Sequence, residues 1–172
     1  HGVSRVIARP FTGESGAYRR TPHRHDYSVQ PPDGLILPLL QAAGVRVRSI
    51  GKIHDLYAGV GIDETHASGS NAEGMARLDE LCARAASSPE LILLNLVDFD
   101  MLWGHRNDPA GMRRGLEEFD HWLAGFLGGL PAGDLLILTA DHGNDPTTPS
   151  TDHSREEVPL LAHLAGREPG RP

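Results

Sequence analysis

The chain has 172 residues, 39% hydrophobic and 23% charged, a composition that suits one folded domain, or a core with a small appendage, and excludes a disordered chain. A formal charge of -7 without a basic run argues against a nucleic-acid partner, and no apolar run approaches the roughly 20 residues that span a bilayer. With one cysteine, Cys82, and no signal peptide, no intramolecular disulfide can form and a cytoplasmic protein is expected.

Residues 3–8 alternate well enough to predict a strand. Residues 9–32 contain Pro10, Pro22, Pro31 and Pro32 and read as loop. Their basic cluster, Arg19, Arg20, His23, Arg24 and His25, is either a solvated surface or an anion site, since the planar guanidinium fork suits phosphate. Pro31-Pro32 marks a hinge or boundary. The apolar stretch 35–43, closed by Gly44, predicts a helix that tolerates Pro38 only in its first turn or at a kink. Residues 45–50 alternate apolar with Arg or Ser, a strand pattern, and glycines at 51, 59 and 61 break it.

Ser70 or Asn71 caps a helix that runs to about Ala86, with Met75, Leu78, Leu81 and Cys82 on one face. Cys82 belongs to that packing face and is not read as a nucleophile. Residues 91–97 are almost continuously apolar, the pattern of a strand buried on both faces of a parallel sheet. Asp108 as cap and Pro109 at the first helical position open a long amphipathic helix. Its stripe is Met112, Leu116, Phe119, Leu123 and Leu127, and Gly128-Gly129 closes it. Residues 135–138 form the next buried strand, 158–161 a short last strand, and 166–172 a tail rich in Gly, Pro and charge. Helices alternating with apolar strands predict an α/β layer with a mainly parallel sheet.

Two of these strands end in Asp followed closely by His, giving Asp100 with His105 and Asp141 with His142. His153 returns from the loop eleven residues after His142. Any one of these residues alone is more often a cap, a turn former or a surface group. Together they form an oxygen and nitrogen donor set without thiolate, which suits Mn, Zn, Fe or Mg. Two clusters on neighbouring strands can hold two ions roughly 3.5–4 Å apart, the arrangement that clamps both oxygens of a phosphoryl transfer. Asp98 and Asp100 share strand parity, so chemistry alone does not choose between them. Asp145 and Asp152 are likewise possible ligands, but read first as loop formers.

Residues 95–109 (NLVDFDMLWGHRNDP) and 139–156 (TADHGNDPTTPSTDHSRE) closely resemble the phosphopentomutase family of the alkaline phosphatase superfamily. Residues 5–11 (RVIARPF), 20–28 (RTPHRHDYS) and 50–55 (IGKIHD) are similar to the same family, so the resemblance covers nearly the whole chain. It implies the second part of a three-layer core with a mainly parallel sheet over 31–172, preceded by the end of an α+β cap domain over 1–30. It implies two Mn ions, with Mg, Zn or Co as possible substitutes. Asp100, rather than Asp98, would hold one ion with His105 and His153, and Asp141 and His142 the other. Arg5, Ile7 and Arg20 match cap positions that meet the sugar phosphate.

The implied reaction interconverts the 1- and 5-phosphates of ribose or deoxyribose. A phosphothreonine donates its phosphoryl group, and a bisphosphorylated sugar, which also serves as activator, is the intermediate. The nucleophilic threonine and the Asp that completes the second metal site belong to the family's N-terminal half, outside this sequence. Thr147, Thr148 and Thr151 do not match the nucleophile's motif. The chain opens on His1-Gly2 without Met, as a fragment or processed chain would, and by itself is expected to be inactive. Its expected partners are a pentose phosphate and the missing N-terminal half, with no nucleic acid and no membrane. The competing readings are a metal-dependent phosphohydrolase on the same scaffold and a non-catalytic metal-binding fragment.

Overall fold

The computed structural model describes residues 5–167 except 22, 24, 85 and 156, and the side chains of Arg5, His25 and Asp26 also lie outside the description. The chain folds as two compact units, His1–Ser68 with Ala86–Asn95 and Gly69–Ala85 with Leu96–Pro172.

The first unit opens with four short strands: β1 (Arg5–Ala8), β2 (Phe11–Thr12), β3 (Arg19–Arg20) and β4 (His25–Ser28). β1 pairs antiparallel with β4, and β2 with β3. The loop expected over 9–32 is therefore corrected to strands joined by turns. Two-residue strands carry no readable alternation, and Arg5 finds its register partner only at Ser28. Helix α1 (Ile36–Ala42) holds Pro38 in its first turn, where an amide N–H has no intrahelical partner to lose. β5 (Arg46–Ile50), α2 (Ile53–Leu56), β6 (Glu64–His66) and β7 (Glu90–Leu94) follow. α2 and β6 escape sequence reading because a single helical turn and a three-residue strand are too short for a periodic signal.

These strands form a parallel sheet in the order β6-β5-β7. The central strand is buried on both faces: Val47, Ser49 and Ile50 are fully buried and Arg48 nearly so. Arg48 is tolerated there because its guanidinium meets Glu64 and Glu90, each at 3.1 Å. Ser49 donates to the Thr65 hydroxyl at 3.1 Å. Asp63 accepts from the Val47 amide at 2.7 Å and from the Gln41 carboxamide at 2.6 Å, tying α1 to the start of the sheet.

The second unit begins with α3 (Asn71–Cys82), which ends four residues before the expected Ala86. Ser70 accepts from the Glu73 amide and Glu73 accepts from the Gly69 amide, a reciprocal cap. Leu78 and Leu81 are its buried apolar residues. A π-helical turn (Phe99–Trp103) and a 3-10 turn (Gly104–Arg106) lead to α4 (Pro109–Gly129), capped by Asp108 through the Gly111 amide at 2.8 Å.

The stripe expected on α4 needs one correction, because Leu116 is 53% exposed and the buried positions are Gly111 and Gly115. A Cβ at either glycine would collide with the indole of Trp103, which lies in the notch they leave. The turn before the helix thus selects its packed face.

β8 (Leu135–Thr139) and β9 (Leu160–Leu164) close the unit as an antiparallel pair, with Leu135 opposite Leu164. The buried, parallel placement expected for 135–138 does not hold: the pair is antiparallel, and Leu135 and Ile137 are exposed. An apolar run fits either direction, and the described residues between 140 and 159 form no helix of the kind that usually carries a parallel crossover. Among the described residues, no helix is long and apolar enough to cross a membrane.

The glycine notch generates a paired prediction. Both Gly115 and Gly125 lie inside α4, and nothing lies within 4 Å of a Cβ at Gly125. Gly125→Ala should stabilise by about 0.5–1 kcal/mol through backbone entropy. Gly115→Ala gains the same term but overpacks Trp103, at a cost of about 1–3 kcal/mol, and should destabilise. Urea unfolding of the two variants checks the opposite signs, and stabilisation by Gly115→Ala would refute the notch.

Candidate metal centre

The site lies within the second unit and joins two segments: the turn over 98–108 and the loop over 140–154. Asp98 and Asp100 no longer share a face, because β7 ends at Leu94 and both residues lie on helical backbone. On such a turn, residues two apart point to roughly opposite sides, where on a strand they would align. Asp98 is buried and turned to α3: its carboxylate accepts from the Asn71 amide at 2.7 Å, and its own amide donates to the Asn71 side chain at 2.9 Å. Asp100 faces the histidines instead.

Asp100 Oδ1 lies 3.3 Å from His105 Nε2 and 3.4 Å from His153 Nε2. His153 stacks on His142 with ring centroids 3.6 Å apart and on His105 at 5.0 Å. Ligand atoms of Asp100, His142 and His153 all lie within 4.8 Å of one another. Asp141 is at the edge of this group, mostly exposed, with Oδ2 3.6 Å from His142 Nε2. The donors are carboxylate oxygen and imidazole nitrogen, a set that fits a divalent first-row ion.

Backbone carbonyls orient two of the rings. His105 Nδ1 is 2.5 Å from the Thr151 carbonyl, and His142 Nδ1 is 3.3 Å from that of Gly143. A carbonyl only accepts, so in the neutral ring Nδ1 carries the proton and Nε2 is left with its lone pair. This is the tautomer a ligating histidine uses when its other nitrogen is held.

The 140–154 loop is stiffened from within. Gly143 bridges Ser154, and the Ser154 hydroxyl accepts from the Asp145 amide at 2.9 Å. Asp145 Oδ1 accepts from the Thr147 hydroxyl at 2.7 Å and amide at 2.8 Å. These two bonds hold the Asp145 carboxyl below its ordinary range, the hydroxyl first. They favour the turn above that range and lose the contribution as pH falls through it. The Thr148 hydroxyl donates to the Asp145 carbonyl at 3.0 Å. The loop-forming role expected of Asp145 is the one it takes in this geometry.

Two asparagines tie the segments together, and sequence reading singled out neither. Asn144 donates from Nδ2 to Asp100 Oδ1 at 3.0 Å, and Asn107 donates to the Thr148 carbonyl at 2.7 Å. Asn107 takes a left-handed backbone, φ 50°. The available signal was the amide side chains inside the two Asp-His stretches. In the first unit, Ile7 is half-buried on β1 and Arg20 is exposed on β3, opposite Phe11. The Arg5 side chain lies outside the described residues.

Residues 39–170 match the Metalloenzyme superfamily. The chain is 55% identical to a phosphopentomutase of Anaeromyxobacter dehalogenans (strain 2CP-1 / ATCC BAA-258) over 168 residues, 98% of this chain and 43% of that protein. It is 50% identical to a phosphopentomutase of Desulfitobacterium hafniense (strain DSM 10664 / DCB-2) over 169 residues, again 98% and 43%. The chain thus spans under half the length of the curated relatives it matches. A solved structure, PH0037 protein from Pyrococcus horikoshii, aligns with TM-score 0.63 over 87% of this chain and 46% of its own, at 17% identity, and so shares the fold.

The asparagine ties generate a prediction about loop order. Asn107→Ala should cost about 1–3 kcal/mol, from the left-handed backbone and the lost bond together. Asn107→Gly should recover the backbone part alone. Both should speed amide exchange across 145–151, read by mass spectrometry, and unchanged exchange in both would show that the Thr148 bond does not order the loop.

Proposed function

We propose, from the premise that this chain belongs to the Metalloenzyme superfamily, that it supplies most of the metal centre of a phosphopentomutase. The superfamily implies metal binding, and the relatives' name implies a pentose phosphate as substrate. The observation that carries the reading is the convergence of Asp100, His142 and His153 in a chain that matches phosphopentomutases along nearly its whole length. In this reading Asp100, His105 and His153 hold one Mn ion, and Asp141 and His142 the other, with Mg, Zn or Co as substitutes. When bound, such a pair supplies positive charge to the oxygens of a transferring phosphoryl group.

The chain's own residues set the conditions for that chemistry. The carbonyls of Thr151 and Gly143 hold the rings of His105 and His142 with Nε2 available. Arg20, with Arg5 and Ile7, meets the sugar phosphate, its fork matching two phosphate oxygens. Thr147 and Thr148 spend their hydroxyls on the loop, which fits a phosphothreonine located elsewhere in the intact protein. Residues 1–30 then end a cap domain, and 31–172 form the second part of the core. The reaction interconverts (deoxy)ribose 1-phosphate and 5-phosphate in the cytoplasm through a sugar bisphosphate, which also restores the phosphorylated enzyme. This chain alone turns nothing over.

In the intact protein, Asp141→Ala or His153→Ala should abolish Mn-dependent conversion of ribose 1-phosphate to ribose 5-phosphate. Wild-type turnover in either would reject the ligand assignment, and release of inorganic phosphate in place of ribose 5-phosphate by the unaltered protein would favour a phosphohydrolase. Arg20→Ala should raise KM with metal content unchanged; an unaltered KM would remove Arg20 from the phosphate site.

A further inference from the structure

We propose that Asn144 is a positioning residue that holds the Asp100 carboxylate in its ligating orientation, and that residue 104 is glycine to leave room for it. The inference rests on Asp100 being a metal ligand, as proposed above. Asn144 reaches Asp100 from the loop that carries His142 and His153, so one amide links the carboxylate to the segment bearing two of its neighbouring histidines. Its Nδ2 donates to Oδ1 at 3.0 Å, the same oxygen that faces His105 Nε2 at 3.3 Å and His153 Nε2 at 3.4 Å.

A carboxylate with two equivalent oxygens can rotate about its last bond, and a hydrogen bond to one oxygen removes that freedom. An amide suits the task. It donates without adding a charge that would repel a cation, and the donor itself does not titrate.

Gly104 supplies the independent observation. Its backbone, φ -60° and ψ -63°, is right-handed helical and open to any L residue. The glycine is therefore not required by the backbone. It is required by space: the three atoms nearest to a Cβ built at 104 are Nδ2, Cγ and Oδ1 of Asn144, with Nδ2 and Cγ well inside contact distance. Gly104 is buried, one residue before His105 and four after Asp100. Any side chain there would push the Asn144 amide off Asp100.

The coupling makes the test a double-mutant cycle in the intact protein, read as Mn affinity by titration with the electron paramagnetic resonance signal of free Mn. Asn144→Ala should weaken Mn binding about ten-fold or more, the size of effect that loss of an outer partner of a ligand produces. Gly104→Ala should weaken it comparably, because the new methyl displaces the amide. In the Asn144→Ala background Gly104→Ala should change affinity by less than about two-fold, since the colliding atoms are gone.

A merely structural role predicts the opposite pattern, with the two penalties multiplying and the unfolding midpoint of the metal-free protein falling with them. Mn affinity within about two-fold of wild type in Asn144→Ala, or an undiminished Gly104→Ala penalty in the double variant, overturns the inference. Asp100→Ala separates the two levels. If it leaves Mn binding intact, both the ligand reading and this inference fail. If it weakens binding while Asn144→Ala does not, only this inference fails.

Discussion

The candidate site depends on the bond between Asn144 and Asp100. Asp100 sits on a helical turn and, His105 apart, its partners Asn144 and His153 arrive on a loop more than forty residues later, so no local rule brings them together. A hydrogen bond to a carboxylate is worth about 1.5–3 kcal/mol, enough to offset the ordering of about one or two loop residues but not of the whole loop. The loop therefore carries its own framework: the Gly143–Ser154 bridge, the Asp145–Thr147 turn and the Thr148 hydroxyl bond. What remains for the long-range contacts is to dock an already ordered loop. Asn107 to the Thr148 carbonyl and His105 to the Thr151 carbonyl complete that docking.

The turn bearing Asp100 is held from its other sides by packing. Asp98, two residues earlier, is locked to the first residue of α3 through reciprocal bonds with Asn71. Trp103, three residues later, lies in the notch of Gly111 and Gly115 on α4 and meets Phe99 edge to face at 5.3 Å. One carboxylate anchors the turn and the other, facing away from it, serves the site. Rigidity is the common result: donor groups are useful to a cation only if their positions are set before it arrives.

Much of this was legible in the primary structure, and the failures have physical causes. The cap at Asp108 read correctly, and that of α3 was narrowed to Ser70 or Asn71, because a capping side chain is local to its helix. Leu116 on α4 was misplaced because its helical stripe is a property of α4 alone, whereas the packed face is selected by Trp103 from outside. The strands within 9–32 were missed because pairing over two to four residues draws its stability from partners elsewhere in the chain. The antiparallel direction of β8 was not encoded in its Leu-Leu-Ile-Leu run, since side-chain burial is the same for either direction.

The sequence by itself determined the chemistry: a carboxylate and imidazole donor set, its place after two apolar strands, and a kinship along nearly the whole chain. Those properties follow from residue identity and short-range order. Only the tertiary structure decided which donors meet. It separated Asp98 from Asp100 by winding both into a turn, gathered Asp100, His142 and His153, left Asp141 at the edge, and gave Asn144 and Gly104 their places. Contacts across forty residues depend on the path of the backbone in three dimensions, and no spacing in one dimension contains that path.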